Sequence, residues 1–332
     1  MALPLSILDL ATIGQDETIA QSLAGSVALA QRAEEVGYSR VWYAEHHNMK
    51  SIASSATSVL IAHVAAHTKE IRLGAGGVML PNHAPLVIAE HYGTLAELHP
   101  GRIDLGLGRA PGSDQTTQRA LRRDPGAAES FPQDVIELQG YLSDESKVPG
   151  IEAIPGRETH VPLYILGSSL FGAQLAAALG LPYAFASHFA PAMLHEAIGA
   201  YRGNFQPSDQ LSEPYFIAAA NVVAADSEAE ARAQMQATLR ARVRLFAAAG
   251  REISDEEADA FLESPGGQRI AAMMQYSAVG TADGVREYLT GFAADTRADE
   301  LITAHQGPTV AARLRSVELT AQAWGLHPKT AA

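Results

Sequence analysis

Short apolar runs alternate with longer amphipathic stretches eight times along this chain, and that rhythm constrains the fold more than any other property. The apolar runs at 4–10, 40–45, 71–80, 102–108, 162–166, 183–187, 215–223 and 300–303 read as strands. The stretches at 19–36, 54–67, 85–98, 129–142, 171–179, 193–204, 228–249, 255–263, 266–274, 282–292 and 310–324 read as helices, with Gly37 and Gly180 as stops and Pro85 in a first turn. Runs such as Val41-Trp42-Tyr43 and Tyr164-Ile165-Leu166 leave no polar face for solvent, which suits a parallel sheet covered by helices. Eight such repeats close into a (β/α)8 TIM barrel; an open doubly wound sheet is the alternative. The stretch 226–277 is too long for one crossover helix, and we read it as an insertion after the seventh strand that covers the barrel mouth. No linker divides the chain, so residues 1–332 are expected to form a single domain.

Charge and cysteine usage narrow the chemistry. With 24 basic against 37 acidic residues the net charge is −13, which argues against a nucleic-acid or anionic-membrane surface while leaving room for one basic pocket. There is no cysteine, so disulfides, thiolate metal sites, iron–sulfur clusters and a Cys nucleophile are excluded. The N-terminal segment lacks the features of a signal peptide and no run is long enough to span a bilayer, so a cytoplasmic location is expected.

In a barrel of this kind chemistry sits where the strands stop. Polar or small residues gather there: Asp9, Glu45-His46-His47, Gly74-Ala75-Gly76-Gly77, Gly106-Leu107-Gly108-Arg109, Gly167-Ser168-Ser169, Ser187-His188, Asn221 and His305-Gln306. Gly106 and Gly108 let the backbone approach a flat ligand, and Arg109 offers a planar fork of donors for a phosphate. Gly167-Ser168-Ser169 precedes a helix start, where hydroxyls and free N–H groups form a phosphate seat. The plainer alternative is that the glycines mark turns and Arg109 pairs with an acid such as Asp114. Alternation along a strand sends only one of His46 and His47 into the pocket. Adjacent histidines lack the usual spacing of zinc ligands, and no metal is expected; a structural pair bonded to backbone is the other reading.

Taken in order, these segments resemble the luciferase-like monooxygenase family. The series runs from Val41-Trp42-Tyr43-Ala44-Glu45-His46-His47 through Ile71-Arg72-Leu73-Gly74, Leu80-Pro81, His83-Ala84-Pro85 and Glu90 to the stretch 100–109 and Gly167-Ser168-Ser169. The likeness is clear over residues 3–190 and looser beyond. It implies a barrel that uses reduced FMN and O2 to oxidise a small organic substrate, with a separate NAD(P)H:flavin reductase as partner and a homodimer as the working form. Carried over residue by residue, Arg109, Ser168 and Ser169 would hold the FMN phosphate with Gly108 and Gly167 beside them. His46 would be the catalytic histidine, and Gly76-Gly77 falls where relatives carry a non-prolyl cis peptide under the flavin ring. Some relatives have an acid where this chain has Ser168, which leaves one fewer negative charge beside the phosphate. One branch of the family implies the deazaflavin F420 and hydride transfer instead; its long anionic tail would need Arg119, Arg122 and Arg123. A noncatalytic flavin-binding protein is the third possibility. The substrate is not legible here.

Overall fold

A computed structural model describes residues 3–328 except 15, 111–114, 125 and 248–250. Asp114 and the last two residues of the helix read over 228–249 lie outside the described residues. Along the first half run β1 (Leu5–Asp9), α1 (Ile19–Val36), β2 (Arg40–Tyr43), α2 (Thr57–Ala65), β3 (Arg72–Met79), α3 (Pro85–Leu98), β4 (Ile103–Gly108), α4 (Gln115–Ala120) and α5 (Phe131–Leu142). The second half continues with β5 (Leu163–Gly167), α6 (Leu170–Leu179), β6 (Tyr183–Phe185), α7 (Leu194–Asn204) and β7 (Phe216–Ala224). Then come α8 (Glu228–Ala247), α9 (Asp255–Leu262), α10 (Pro265–Ala272), β8 (Ser277–Gly280), α11 (Ala282–Thr296), β9 (Glu300–His305) and α12 (Val310–Trp324).

Local chemistry explains the boundaries. Thr18 and Gln21 form a reciprocal capping box at the start of α1, and Gly37 stops that helix with φ of 95°, a left-handed conformation that glycine adopts without a Cβ clash. All strand pairings are parallel, in the order β1 to β6, then β7 and β9 back to β1, which closes an eight-strand ring. The fold is therefore a (β/α)8 barrel. One strand went unread in the sequence. Among the described residues β8 pairs only with β7, at Asn221–Ala224, on the edge that β6 occupies lower down, where Tyr183 to Phe185 pair with Phe216 to Ala218. Residues 221 and 222 of β7 pair with β8 on one edge and β9 on the other, so β8 lies outside the ring. The insertion thus ends in a strand rather than in helix alone.

Strand alternation sorts side chains into two cores. Leu5, Ile7, Val41, Tyr43, Leu73, Leu105, Ile165 and Phe185 face outward into the helix layer. Leu8, Trp42, Ala44, Tyr164, Ala184, Ile217, Ala219 and Ile302 fill the lumen. Below them a buried ionic cluster plugs the N-terminal end. Arg40 donates to Asp104 at 2.8 Å and to Tyr164 Oη at 2.7 Å, and its Nε lies 3.0 Å from Glu300. Trp42 Nε1 and Arg72 also donate to Asp104, while Ser6 and Tyr215 donate to Glu300. Burial alone would make Arg40 easier to deprotonate, but Glu300 and Asp104 outweigh it and lock the guanidinium as a cation. With the floor closed, the opposite rim is the open end.

Candidate active site

The rim residues divide into those spent on the scaffold and those that are not. Asp9 accepts from Ser26 Oγ at 2.5 Å and from Ala11 N at 2.9 Å, which ties β1 to α1. Ser187 donates to Ala219 O in the barrel wall. His305 is held between Thr303 at 3.1 Å and Ser316 at 2.8 Å, against α12. These three positions, read from the sequence as part of the pocket lining, hold elements together instead. Asn221 and Gln306 do meet at the mouth: Gln306 donates to Asn221 Oδ1 at 3.0 Å, and Asn221 donates to the His188 carbonyl at 2.6 Å.

Beyond β2, Glu45 is buried, and its two oxygens receive His83 Nε2 at 2.9 and 3.0 Å, His47 Nε2 at 2.7 Å and Met79 N at 3.0 Å. Burial alone would raise the carboxyl pKa; the hydrogen bonds from His83, His47 and Met79 overcome it and hold Glu45 below the ordinary range. Glu45 and His47 therefore share one side of the chain, as alternation requires, although β2 itself ends at Tyr43 rather than at Glu45. His46 goes the other way. Its Nδ1 is buried with no well-formed hydrogen bond among the described residues; burial lowers its pKa more than the nearby Ala44 carbonyl raises it, so the ring is neutral at pH 7. His46 lies close enough to His188, after β6, for the two rings to interact electrostatically. His188 is 8% exposed, with its own Nδ1 unpartnered, and burial pushes its pKa down to about 3.

Glu45, His47 and His83 place their donor atoms within 4.8 Å of one another, a set that suits a divalent ion in kind. Each donor is already satisfied inside the trio, so hydrogen bonding accounts for the cluster as it stands. His83 is the member that sequence spacing did not connect to the histidine pair.

β3 carries the glycine pair. The Gly76–Gly77 peptide is cis, and the β3–β4 register shifts between Ala75 and Val78 around it. A Cβ on Gly77 would stand 2.8 Å from Gly106 O, and one on Gly76 would stand 2.8 Å from Leu8 Cδ1 and 2.9 Å from Trp42 Cβ. Only glycine fits at either place.

Arg109 follows β4 and Gly108. Its guanidinium lies over the Phe171 ring at 4.1 Å, and its Nε donates to Ala128 O at 3.2 Å. Phe171 belongs to the first turn of α6, whose N-cap is Ser169; the Ser169 hydroxyl makes no capping bond and the first-turn N–H groups point out of the helix. Gly167 ends β5 directly before Ser168 and Ser169. The structure thus brings Arg109 to the N-terminus that Ser168 and Ser169 open, and the Arg109–Phe171 stacking is a contact that motif reading had missed. A cation, free helix N–H groups and hydroxyls form the donor set that a monophosphate needs. With the glycine-lined β3 and the unpartnered imidazoles farther round the rim, the residues fit a flavin mononucleotide.

Comparison with known proteins identifies the family. The sequence profile of the luciferase-like monooxygenases matches residues 3–300. A luciferase-like monooxygenase of Escherichia coli (strain K12) is 46% identical over 317 residues, covering 95% of each chain. An N-acetyl-S-alkylcysteine monooxygenase of Bacillus subtilis (strain 168) is 37% identical over 270 residues, covering 78% of this chain and 79% of the relative. Among solved structures, apo-MsnO8 superposes with a TM-score of 0.89 at 34% identity, covering 98% of this chain and all (100%) of its own.

Proposed function

Because the chain belongs to the luciferase-like monooxygenase family, we propose that it is a two-component, FMN-dependent monooxygenase acting on a small organic substrate. In that reading a separate NAD(P)H:flavin reductase delivers reduced FMN, and substrate, O2 and reduced FMN become oxygenated product, water and FMN. When bound, reduced FMN supplies the electrons that activate O2. Arg109, with Ser168, Ser169 and the N–H groups of the α6 first turn, binds the phosphate dianion, while Gly108 and Gly167 keep the approach open. Gly76 and Gly77 give the ring system a wall without side chains. His46, neutral and with Nδ1 unpartnered, holds or accepts a proton at the mouth. The helices α8–α10 exclude water. The reading includes a cytoplasmic homodimer; exposed Ile19, Val59, Val87 and Leu98 on α1–α3 are the apolar surface available for pairing. No helix among the described residues is long and apolar enough to cross a membrane.

The observation that carries this reading is the Arg109–Phe171 contact, a cation stacked on the first turn of α6, directly after the end of β5. Titration with FMN tests it. Arg109→Ala is expected to weaken binding at least about tenfold, the loss of a charge-assisted bond worth roughly 1.5–3 kcal/mol. His46→Ala should keep FMN affinity and lower oxygen-coupled turnover at least about tenfold, assayed with a flavin reductase and a panel of aldehydes, ketones and alkanes. Unchanged FMN affinity in Arg109→Ala would remove the basis of the assignment. The F420 alternative draws on exposed Arg119, Arg122 and Arg123 beyond β4, and the absorbance of the bound cofactor separates the two.

A further inference from the structure

α8 carries three arginines at alternate positions, 240, 242 and 244, and they do different things. Arg240 donates to Asp255 at 2.7 Å and to Asp259 at 2.5 and 2.7 Å; Arg244 donates to Asp255 at 2.5 Å. Val243, on the same side, is fully buried against Ala258 and Ile270 of α9 and α10. At 100° per residue, Arg242 stands about 160–200° round the helix from its two neighbours. Its face also holds Met235, Leu239 and Phe246. Met235 packs against the cluster that joins Ala231 of α8 to Val223 and Ala225 at the end of β7, so this face looks toward the barrel. Arg242 has no hydrogen bond or ion pair among the described residues, and no carboxylate offsets its burial, which lowers its pKa. It does act electrostatically on His188, the buried ring whose Nδ1 lacks a partner and which also interacts with His46.

A partly buried guanidinium with no acid beside it is free to take the charge of an external anion. Asp255 and Asp259 of α9 are on the far side of α8, taken by Arg240 and Arg244. The phosphate seat at Arg109 and α6 belongs to the ends of β4 and β5, whereas Arg242 faces the ends of β6 and β7. We propose that Arg242 anchors the anionic group of the substrate, a carboxylate or sulfonate borne on a mainly apolar body, with His188 beside it and Leu239 and Phe246 on the same helix face. This rests on the reading of the mouth as the flavin site and adds the substrate class to it.

The test pairs anions with neutral analogues on the FMN-loaded protein. Calorimetric titration uses n-alkanoates and n-alkanesulfonates of graded length, with the methyl esters of the same alkanoates as controls. In the wild type at least one anion series is expected to bind at least about tenfold tighter than its uncharged counterpart, about 1.4 kcal/mol. Arg242→Gln should erase that preference, Arg242→Lys should retain part of it, and both should bind FMN like the wild type. Arg242→Gln should also melt no lower than the wild type, since it breaks no bond within the protein. The proposal is overturned by equal binding of anions and esters, by a preference that survives in Arg242→Gln, by failure of every anion in the panel, or by a matching loss of FMN affinity. Oxygen uptake is a separate readout: an anion preference that depends on Arg242 in a protein showing no flavin-coupled oxygen uptake supports the anchor while rejecting the monooxygenase reading.

Discussion

His305 shows how one buried ring sets the response of the whole chain to acid. Burial lowers its pKa to about 3, against roughly 6.5 for an unfolded histidine. Between those values the unfolded chain binds a proton that the folded chain refuses, so stability falls as pH drops below about 6.5 and is unaffected above it. The expected loss is about 1.4 kcal/mol per pH unit from this ring, and His188, also depressed to about 3, adds in the same direction. Chemical denaturation at pH 7 and pH 5 should show the decline, and His305→Asn, which keeps a partner for Ser316, should reduce the slope. A slope identical in the variant would mean that the ring is not protonated on unfolding in this range. Gly77 makes the other residue-scale case. Gly77→Ala would set a methyl 2.8 Å from the Gly106 carbonyl oxygen, backbone that is fixed in β4, and is expected to cost about 1–3 kcal/mol through overpacking, seen as a lower urea midpoint.

At the scale of elements, the insertion is held by a charged clasp. Arg240 and Arg244 join α8 to Asp255 and Asp259 of α9, whose first turn is organised by the Ser254–Glu257 capping box. These groups are partly solvated, so each pair is weak alone and matters as a network. Arg240→Ala should speed amide exchange in α9 and α10 more than in the barrel strands, with little change in the global unfolding midpoint; uniform protection would show the clasp to be ornamental. The long elements here were legible. α1 and α12 begin and end where periodicity puts them, α1 with Gly37 as its stop, and every ring strand lies within two residues of its apolar run. β8 was not legible because Ser277–Gly280 is four residues long, has no alternation to detect and gains its ladder only from a strand over fifty residues upstream. The rim residues failed for a related reason. Composition marked Asp9, Ser187 and His305 as polar at strand ends, but whether a polar side chain serves a helix or a cavity depends on partners such as Ser26 and Ser316 that only the tertiary fold supplies. Arg242 went unnoticed because three alternate arginines look equivalent until α9 claims two of them.

For the molecule as a whole, the buried ionic floor lies at the opposite end of the barrel axis from the proposed flavin site. The floor cluster of Arg40, Asp104 and Glu300 belongs to the fold. Arg40→Met would leave buried Glu300 without its cation and Asp104 with Arg72 alone, and is expected to lower the unfolding free energy by roughly 3–5 kcal/mol; Arg40→Met combined with Glu300→Gln should recover part of it. A double-digit rise in the flavin dissociation constant of correctly folded Arg40→Met would contradict that separation. The strand outside the ring has its own consequence. By laddering onto the upper half of β7, β8 returns the chain to the scaffold almost at the point where the excursion over 226–276 departed. An excursion rooted at adjoining points on a rigid support is expected to behave as a cassette, exchangeable whole for that of a related barrel while the ring keeps its shape.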